Sequence, residues 1–422
     1  MTGRDSQRTP QRVVVTGMGL LSPLGNTVEE AWAAAISGAS GIRRMTLTAP
    51  SGYPCQVAGE VRGFDPTKYM DRKDARRMAR FSQFAVAAAR QAVMQAGLNL
   101  EQIDRSRVGA ICGTGGASLP ETEQAMRTII ARGGSKVDPL YISKFLPNMA
   151  AGNLTIQLGL QGYTNTVTTA CAAGTQAIGD AMQVIRRGDA DVMLAGGAEA
   201  GISELGLAAF CAMRALAISH NDQPEAASRP FDRDRDGFVP SEGAGILVLE
   251  ALDHALARGA EPLAEIIGYG VSADAQFLVA PSDDGDGAAR AMRAALADAD
   301  VAAEEIDYIS AHATATLIGD VAETRAIRTV FGERAYQFPV SAFKSQVGHL
   351  LGAAGGVETI IALQALRSGT IPPTINLEHP DPECDLDYVA HRARSVELRT
   401  VMKDSFGFGG QNAVLILRRY EG

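Results

Sequence analysis

The feature that most constrains the fold of this chain is an alternation of strand-like and helix-like segments that runs twice along its 422 residues. The strand-like segments are rich in β-branched residues, and the helix-like segments between them carry apolar residues three or four positions apart. We predict strands at 13–16, 108–112, 165–169, 192–195 and 245–250 in the first run and at 264–269, 306–311, 339–342, 404–407 and 413–418 in the second. Because crossover segments join parallel strands, the alternation indicates an α/β protein with a mostly parallel sheet covered on both faces.

The two runs indicate two similar halves. A chain of this length exceeds the usual size of a single core, and its 46% of hydrophobic residues are enough to fill a large one. We predict a flexible, polar arm at residues 1–12, a first half at 13–252 and a second half at 262–419.

Composition and residue spacing argue against several classes of function. The net charge of −9 argues against nucleic acid as a partner, and no apolar run approaches the roughly 18 residues of a membrane span. Five cysteines without CxxC spacing predict a reducing, cytoplasmic setting rather than a disulfide framework. The six histidines lack paired metal-ligand spacing, so we predict no metal site.

Cys171 stands where a β-branched run meets a run of small residues, in Val-Thr-Thr-Ala-Cys-Ala-Ala-Gly at 167–174. Residues 172–187 predict a helix with Ile178, Met182 and Ile185 on one face. A thiol at the start of a helix is near free backbone N–H groups and the positive end of the helix dipole, and both favour the nucleophilic thiolate. Two distant fragments, 311–316 and 344–349, supply His312 and His349, so the chain holds the ingredients of thiol-based acyl transfer.

Further motifs accompany these fragments. They are Val-Thr-Gly-Met-Gly at 15–19, Ala-Gly-Gly-Ala-Glu at 195–199, Pro-Phe-Asp at 230–232, Gly-Ala-Gly at 243–245, Pro-Pro-Thr-Ile-Asn at 372–376 and Ser-Phe-Gly-Phe-Gly-Gly at 405–410. In this order, over about residues 12–419, the motifs resemble those of the β-ketoacyl-[acyl-carrier-protein] synthases, which elongate fatty acids and polyketides. The resemblance implies the duplicated five-layer αβαβα fold of thiolase-like proteins, with the active site between the halves.

The resemblance also implies a set of reactive residues. Cys171 would carry the acyl chain, and His312 and His349 would donate N–H bonds to the enolate that forms when a malonyl thioester loses carbon dioxide. His349 precedes the apolar stretch 350–366 and so lies near a predicted helix N-terminus, a position that favours a neutral imidazole. The backbone N–H of Phe408, together with that of Cys171, would form the oxyanion hole for acyl transfer.

The resemblance also implies residues that support the reactive groups and residues that bind the substrate or its carrier protein. Lys344 would be buried and bonded to an acidic pair, Asp320 and Glu323, while Thr314 and Thr316 would bond the phosphopantetheine arm. The basic residues assigned to carrier-protein docking are Lys68, Arg72 and Lys73, with Arg214 at the tunnel mouth. Without the resemblance, the basic run from Lys68 to Arg80 would be interpreted as a solvated helix face.

Four positions depart from the family pattern towards larger or more apolar residues: Val279, Ala315, Ile318 and Phe343. All four are assigned to the malonyl end of the site. We therefore predict a reshaped extender pocket, either specialised for a polyketide-type pathway or insensitive to inhibitors that imitate malonate.

The resemblance implies no resident cofactor, because phosphopantetheine arrives on the acyl carrier protein. It implies that carrier protein as a partner, and a homodimer or a heterodimer with a related subunit. Two alternatives remain: a non-catalytic partner subunit that sets chain length, and a thiolase acting on coenzyme A esters. The presence of Cys171 argues against the first, and Phe408 in the C-terminal glycine-rich turn, where a thiolase would have a second cysteine, argues against the second.

Overall fold

The computed structural model describes residues 10–422, so most of the predicted arm at 1–12 lies outside the described residues. The strands are β1 Val13–Leu21, β2 Ile42–Arg44, β3 Val57–Gly59, β4 Val108–Gly113, β5 Thr164–Val167, β6 Val192–Glu199, β7 Gly243–Ala251, β8 Ala264–Ala273, β9 Tyr308–Ser310, β10 Val340–Ser341, β11 Thr370–Ile371, β12 Arg394–Ser395, β13 Thr400–Gly407 and β14 Gln411–Arg418. The helices are α1 Val28–Ile36, α2 Arg72–Ala75, α3 Arg80–Gln95, α4 Leu119–Arg132, α5 Tyr141–Phe145, α6 Met149–Leu158, α7 Ala173–Arg186, α8 Glu204–Ala212, α9 Leu252–Ala257, α10 Asp286–Ala299, α11 Gly319–Phe331, α12 Lys344–Val347 and α13 Ala354–Ser368.

The main sheet repeats one topology in the two halves. Its strand order is β5-β4-β6-β7-β1 in the first half and β10-β9-β13-β14-β8 in the second. If the five main strands of each half are numbered in chain order, both halves have the same spatial order: third, second, fourth, fifth, first. The halves join edge to edge where Val14 and Val15 of β1 pair with Glu265 and Ala264 of β8. The predicted duplication is thus present in the strand order itself.

The prediction of a mostly parallel sheet is wrong, because the sheet is mixed. In each half the third, second and fourth strands are parallel, whereas the fifth and first run antiparallel to their neighbours. In the second half the reason is loop length. Only residues 408–410 join β13 to β14, and so short a connection permits a hairpin but no crossover.

Helices cover the sheet in layers. Helix α3 packs on the outer face of the first half, and α10 and α11 cover the outer face of the second. Helices α7 and α13 lie between the two halves, and their apolar side chains form one buried cluster with strands of both. Ile178, Met182 and Ile185, the predicted apolar face of α7, all belong to this cluster. These layers form the thiolase-like five-layer architecture. Among residues 10–422, no helix is long and apolar enough to cross a membrane.

The two central helices approach each other through glycine. A Cβ atom on Gly355 would lie 2.1 Å from the backbone nitrogen of Thr175, and one on Gly174 would lie 2.8 Å from the carbonyl oxygen of Gly352. Both contacts are with backbone, which cannot move aside as a flexible side chain would. The N-terminal ends of α7 and α13 can therefore meet only because these positions lack a side chain.

We expect Gly355→Ala to lower the free energy of unfolding by about 1–3 kcal/mol, the usual cost of inserting a methyl group into a packed core. Chemical denaturation of the wild type and the variant measures the effect. Gly134→Ala is the matched control, because a Cβ there meets nothing within 4 Å. Equal stability of the two variants would contradict the proposed dependence on the α7–α13 contact.

Candidate active site

Cys171 lies in a one-turn 3-10 helix, Ala170–Ala172, between β5 and α7. Ala170 has a φ of +50°, a left-handed conformation that is unusual for a residue with a side chain. The strained turn presents the thiol at the start of α7, where Sγ lies 2.9 Å from Nε2 of His349. The sequence therefore predicts the position of this thiol, at a strand–helix junction, correctly.

The predicted thiolate character of Cys171 is outweighed by burial. Burial raises the pKa of this thiol to about 12, although the Lys344 cation and the backbone N–H groups of Phe408 and Cys171 act to lower it. Desolvation disfavours the charged form more than these donors stabilise it. The resting site holds a neutral thiol.

His349 is held by its own backbone. Its N–H donates to the carbonyl of Val239 at 2.7 Å, and its carbonyl accepts from Ser241 at 3.0 Å. The imidazole meets the rings of Phe238 and His312 edge to face, with centroids 5.3 and 5.5 Å away. These contacts fix the ring beside the thiol.

His312 follows β9, and its backbone is held by a buried carboxylate. The N–H groups of His312 and Ala313 donate to the two oxygens of Glu323, each at 2.7 Å. The Lys344 ammonium lies 3.5 Å from Nδ1 of His312. Because an ammonium can only donate, Nδ1 accepts this bond, and the neutral ring carries its proton on Nε2.

Both imidazoles are neutral at neutral pH. Burial lowers the pKa of His312 and of His349 well below the ordinary value, and the nearby cation of Lys344 lowers each further. For His349, the sequence predicts this neutral state from its place near a helix N-terminus. In the structure the causes are desolvation and buried lysines.

The predicted partner of Lys344 is wrong. Its ammonium is 2.5 Å from Oε1 of Glu358 on α13, and both side chains are about 1% exposed. Glu323 is committed to backbone N–H groups. Asp320 likewise accepts from the N–H groups of Phe231 and Ala315, at 2.8 and 3.1 Å. Asp320 and Glu323 therefore shape the loop that carries His312 and do not pair with Lys344.

Three buried charged residues at the site were missed by the sequence argument. Glu358 is the lone charge in the apolar segment 354–366, and Lys403 lies within the buried strand β13. Glu199, at the end of β6, accepts from the N–H groups of Gly115 at 2.6 Å and Gly352 at 3.1 Å. An isolated charge in an apolar segment is the signal that could have identified Glu358, because such a charge needs a buried partner.

A cavity of about 480 Å³ connects these groups with the surface. Cys171, His312, His349 and Phe408 line it, as do residues from both halves of the chain. Further out, the hydroxyl oxygens of Thr314 and Thr316 lie 3.1 Å apart. Arg214, which is exposed, also lines the cavity. The volume of the cavity is in the range of small-molecule sites, and Cys171 is among the residues that line it.

The predicted reshaping of the extender pocket is only partly supported, because only two of the four altered residues line the cavity. Val279 and Ile318 line the cavity but are about half exposed, 52% and 51%, so they lie at its entrance. Phe343 does not line the cavity: it is buried in the central apolar cluster, so its assignment as a substrate-binding residue is wrong. Ala315 is also buried away from the cavity. Two of the four changes therefore belong to packing rather than to the substrate site.

The basic residues before α3 divide into two groups. Lys68, Arg72 and Lys73 are exposed, and so are Arg76 and Arg77. Arg80, by contrast, turns inward and pairs with buried Glu242 at 2.7 Å. A positively charged surface thus remains around the short helix α2 on a protein whose net charge is −9.

Comparison with known proteins agrees with this architecture. Residues 10–255 match the family model "Beta-ketoacyl synthase, N-terminal domain", and residues 263–378 match "Beta-ketoacyl synthase, C-terminal domain". The chain is 45% identical to 3-oxoacyl-[acyl-carrier-protein] synthase 2 of Synechocystis over 97% of this chain and 99% of the relative.

Solved structures give the same result. The ishigamide ketosynthase/chain length factor superposes with a TM-score of 0.92 at 39% identity. A type II polyketide ketosynthase, solved bound to the hexaketide and in complex with its acyl-carrier protein, superposes with a TM-score of 0.90 at 34% identity. Each comparison covers 97% of this chain and all of the other. With both family models covering most of its length, this chain belongs to the β-ketoacyl synthase family.

Proposed function

We propose that the chain catalyses a decarboxylative Claisen condensation. An acyl chain bound to Cys171 reacts with a malonyl-acyl carrier protein to give a β-ketoacyl-acyl carrier protein and carbon dioxide, in fatty acid or type II polyketide elongation. The observation that carries the proposal is the arrangement of a thiol and two neutral imidazoles in one cavity, with Sγ of Cys171 2.9 Å from Nε2 of His349. The free thiol that this chemistry requires supports a reducing, cytoplasmic setting.

Acyl transfer comes first. Sγ of Cys171 attacks the carbonyl carbon of the acyl thioester, and the departing pantetheine sulfur takes up the proton that the thiol loses. His349 accepts that proton at Nε2, which lies within hydrogen-bond distance, and passes it on. The backbone N–H groups of Cys171 and Phe408, both directed at the sulfur, stabilise the oxyanion of the tetrahedral intermediate.

Condensation follows in the same cavity. The malonyl thioester loses carbon dioxide, and the electron pair left on its α-carbon delocalises onto the thioester oxygen as an enolate. The Nε2–H group of His312 stabilises this charge, and His349 adds a second donor as the Nε2–H tautomer, which it adopts once Sγ is acylated and no longer donates to Nε2. The α-carbon then attacks the acyl carbonyl on Cys171, a carbon–carbon bond forms, and the carbon–sulfur bond to Cys171 breaks. The departing thiolate takes up one proton from solvent, because its own proton left with the pantetheine thiol. Lys344 keeps His312 in the tautomer that donates from Nε2.

The two alternative functions are less well supported. A chain-length-setting subunit needs no nucleophile, yet Cys171 is here beside His349. A thiolase needs a second cysteine at the site, whereas Cys384 is buried in the apolar cluster of the second half and does not line the cavity.

We expect Cys171→Ala to abolish acylation and condensation, because no other cavity-lining residue offers a thiol. Intact-protein mass spectrometry with acyl-carrier proteins measures the acyl adduct. Cys171→Gln is the matched variant and should still release carbon dioxide from a malonyl thioester, because both imidazoles remain. Chain elongation by Cys171→Ala would refute the nucleophile assignment.

We expect the two histidines to separate the half-reactions. His312→Ala should slow decarboxylation by about 100-fold, the scale of losing one oxyanion donor, and leave acylation of Cys171 nearly unchanged. His349→Ala should impair both steps, because His349 alone of the two contacts Sγ. Single-turnover acylation and carbon dioxide release measure the two steps separately. Identical losses in both variants would contradict this division of roles.

We further propose that the exposed basic residues Lys68, Arg72 and Lys73 dock the acyl carrier protein. Carrier proteins of this class are acidic, and complementary charge steers association. Arg214, Thr314 and Thr316 line the cavity and could contact the phosphopantetheine arm as it enters. In this proposal that arm is the only prosthetic group in the reaction, and it arrives with the substrate.

Reversing two charges, Arg72→Glu with Lys73→Glu, should raise the apparent KM for acyl carrier protein several-fold while small thioester substrates react normally. The effect should shrink with added salt, because exposed charges are screened within about 10 Å at 0.1 M ionic strength. Arg293→Glu with Arg392→Glu changes the net charge equally at exposed positions of the second half and is the control. Equal KM values for the two double variants would refute a docking role.

A second ketosynthase-like chain is the other proposed partner, as a homodimer or a heterodimer. The outer strand β10 is buried, with the N–H of Val340 bonded to Asp387. The equivalent outer strand β5 exposes Thr164 and Asn165. An open edge strand is normally covered in an assembly, and apolar side chains are exposed nearby, on α5 and α6.

A further inference from the structure

Lys403 is a completely buried cation that the mechanism above does not use. It lies in β13 with 0% of its side chain exposed, and its ammonium is 2.9 Å from Oε2 of Glu358. The ammonium also donates to Oγ of Ser405 at 3.0 Å and to the backbone carbonyl of Asp404. All of these contacts of the Lys403 ammonium are therefore with groups in the interior of the protein.

Two buried lysines share one carboxylate. Lys344 forms an ion pair with Oε1 of Glu358 at 2.5 Å, and Lys403 forms one with Oε2 of the same group at 2.9 Å. Asp404 does not balance the second cation, because burial and the nearby charge of Glu323 raise its pKa well above the ordinary range. Burying an extra ammonium is costly, and an apolar residue of similar size is commonly as stable. Core stability alone gives no reason for a lysine here.

The position of Lys403 connects it with the reacting groups. Glu358 lies between the two ammonium groups, and Lys344 in turn lies 3.5 Å from Nδ1 of His312. With one oxygen bound to Lys403, the carboxylate of Glu358 cannot rotate away from Lys344. The chain of contacts therefore runs from β13, through α13 and α12, to His312.

We propose that Lys403 is a positioning residue for the malonyl half-reaction: its ammonium holds Glu358 so that Lys344 stays against Nδ1 of His312. The inference rests on the proposed function, because it takes His312 as a donor to the enolate. Lys403 touches neither the cavity nor the substrate and acts through Glu358 and Lys344 alone.

The second cation also affects the protonation of the histidines. The charge of Lys403 adds to burial and to Lys344 in lowering the pKa of His312 and His349. The titratable groups around this centre are Lys344, Glu358, Asp404, Glu323, Asp320, Glu199, Tyr308, His312, His349 and Cys171. Removing the Lys403 charge leaves a neutral Lys344–Glu358 pair, so both histidine pKa values should rise, while burial, the largest cause, still holds them below the ordinary value.

Protonation of His312 ends its bond from Lys344 and places two cations side by side. The rate of decarboxylation should therefore fall at acid pH as the histidines protonate. This fall in rate is the acid limb of the pH profile. In the wild type it lies well below the ordinary histidine pKa. In a variant without the Lys403 charge it should lie at higher pH.

The test is Lys403→Met, which is similar in shape and uncharged and leaves Glu358 paired with Lys344. We expect kcat for carbon dioxide release from malonyl-acyl carrier protein to fall about tenfold or more, the scale of a displaced catalytic group. At neutral pH, where both histidines stay neutral, the KM for that substrate and the acylation of Cys171 should be unchanged. The acid limb of the pH profile should move upward.

Two companion variants complete the design. Lys403→Gln also lacks the charge but keeps an amide donor for Glu358, so it tests the same pH shift if the methionine variant does not fold. Lys403→Arg keeps the charge and should keep the wild-type acid limb. Equal losses in acylation and decarboxylation, or an unmoved acid limb in both neutral variants, would overturn the positioning role. Absence of condensation in the wild type would instead refute the proposed function.

Discussion

The close contact between α7 and α13 is the constraint on which the rest of the active site depends. These helices lie between the two halves of the chain, and glycines at their N-terminal ends let the backbones meet. Cys171 precedes one helix and His349 precedes the other, so the contact brings together two side chains that are 178 residues apart. Because the surrounding core is close-packed, a shift of either helix would be transmitted directly to the reacting atoms.

The duplicated topology explains why these two residues are placed alike. Cys171 follows β5, the third main strand of the first half, and His349 follows β10, the third main strand of the second. In each half, the helix that follows this residue, α7 or α13, is one of the two that lie between the halves. The repeat therefore presents two equivalent strand–helix junctions to the same cavity, and different side chains at those junctions give that cavity a thiol and an imidazole.

Burial sets the chemistry of the site. The thiol and both imidazoles are neutral because desolvation disfavours their charged forms. Lys344, Glu358 and Lys403 form a continuous buried chain behind His312. Its electrostatic influence is strong, since there is little water to screen it.

Local patterns in the sequence were enough to predict the alternation of strands and helices, the division into two similar halves and the strand–helix junction at Cys171. These features follow from short-range periodicity and from residue types within a few positions, which act before any long-range packing. The family resemblance added His312, His349 and Phe408 as members of one site, and in the structure they line one cavity with Cys171.

Tertiary structure alone decided the direction of the strands, the partner of Lys344 and the charge state of the thiol. The pairing of Lys344 with Glu358 joins residues on different helices, and no spacing rule relates them. Phe343 was assigned to the substrate site because it departs from the family pattern there. It packs in the core, because a position in a motif does not reveal which way a side chain faces. The pKa of Cys171 depends on its distance from water, a property of the whole fold. Features that depend on short-range chemistry could be predicted from the sequence. Features that depend on burial and long-range contacts could not.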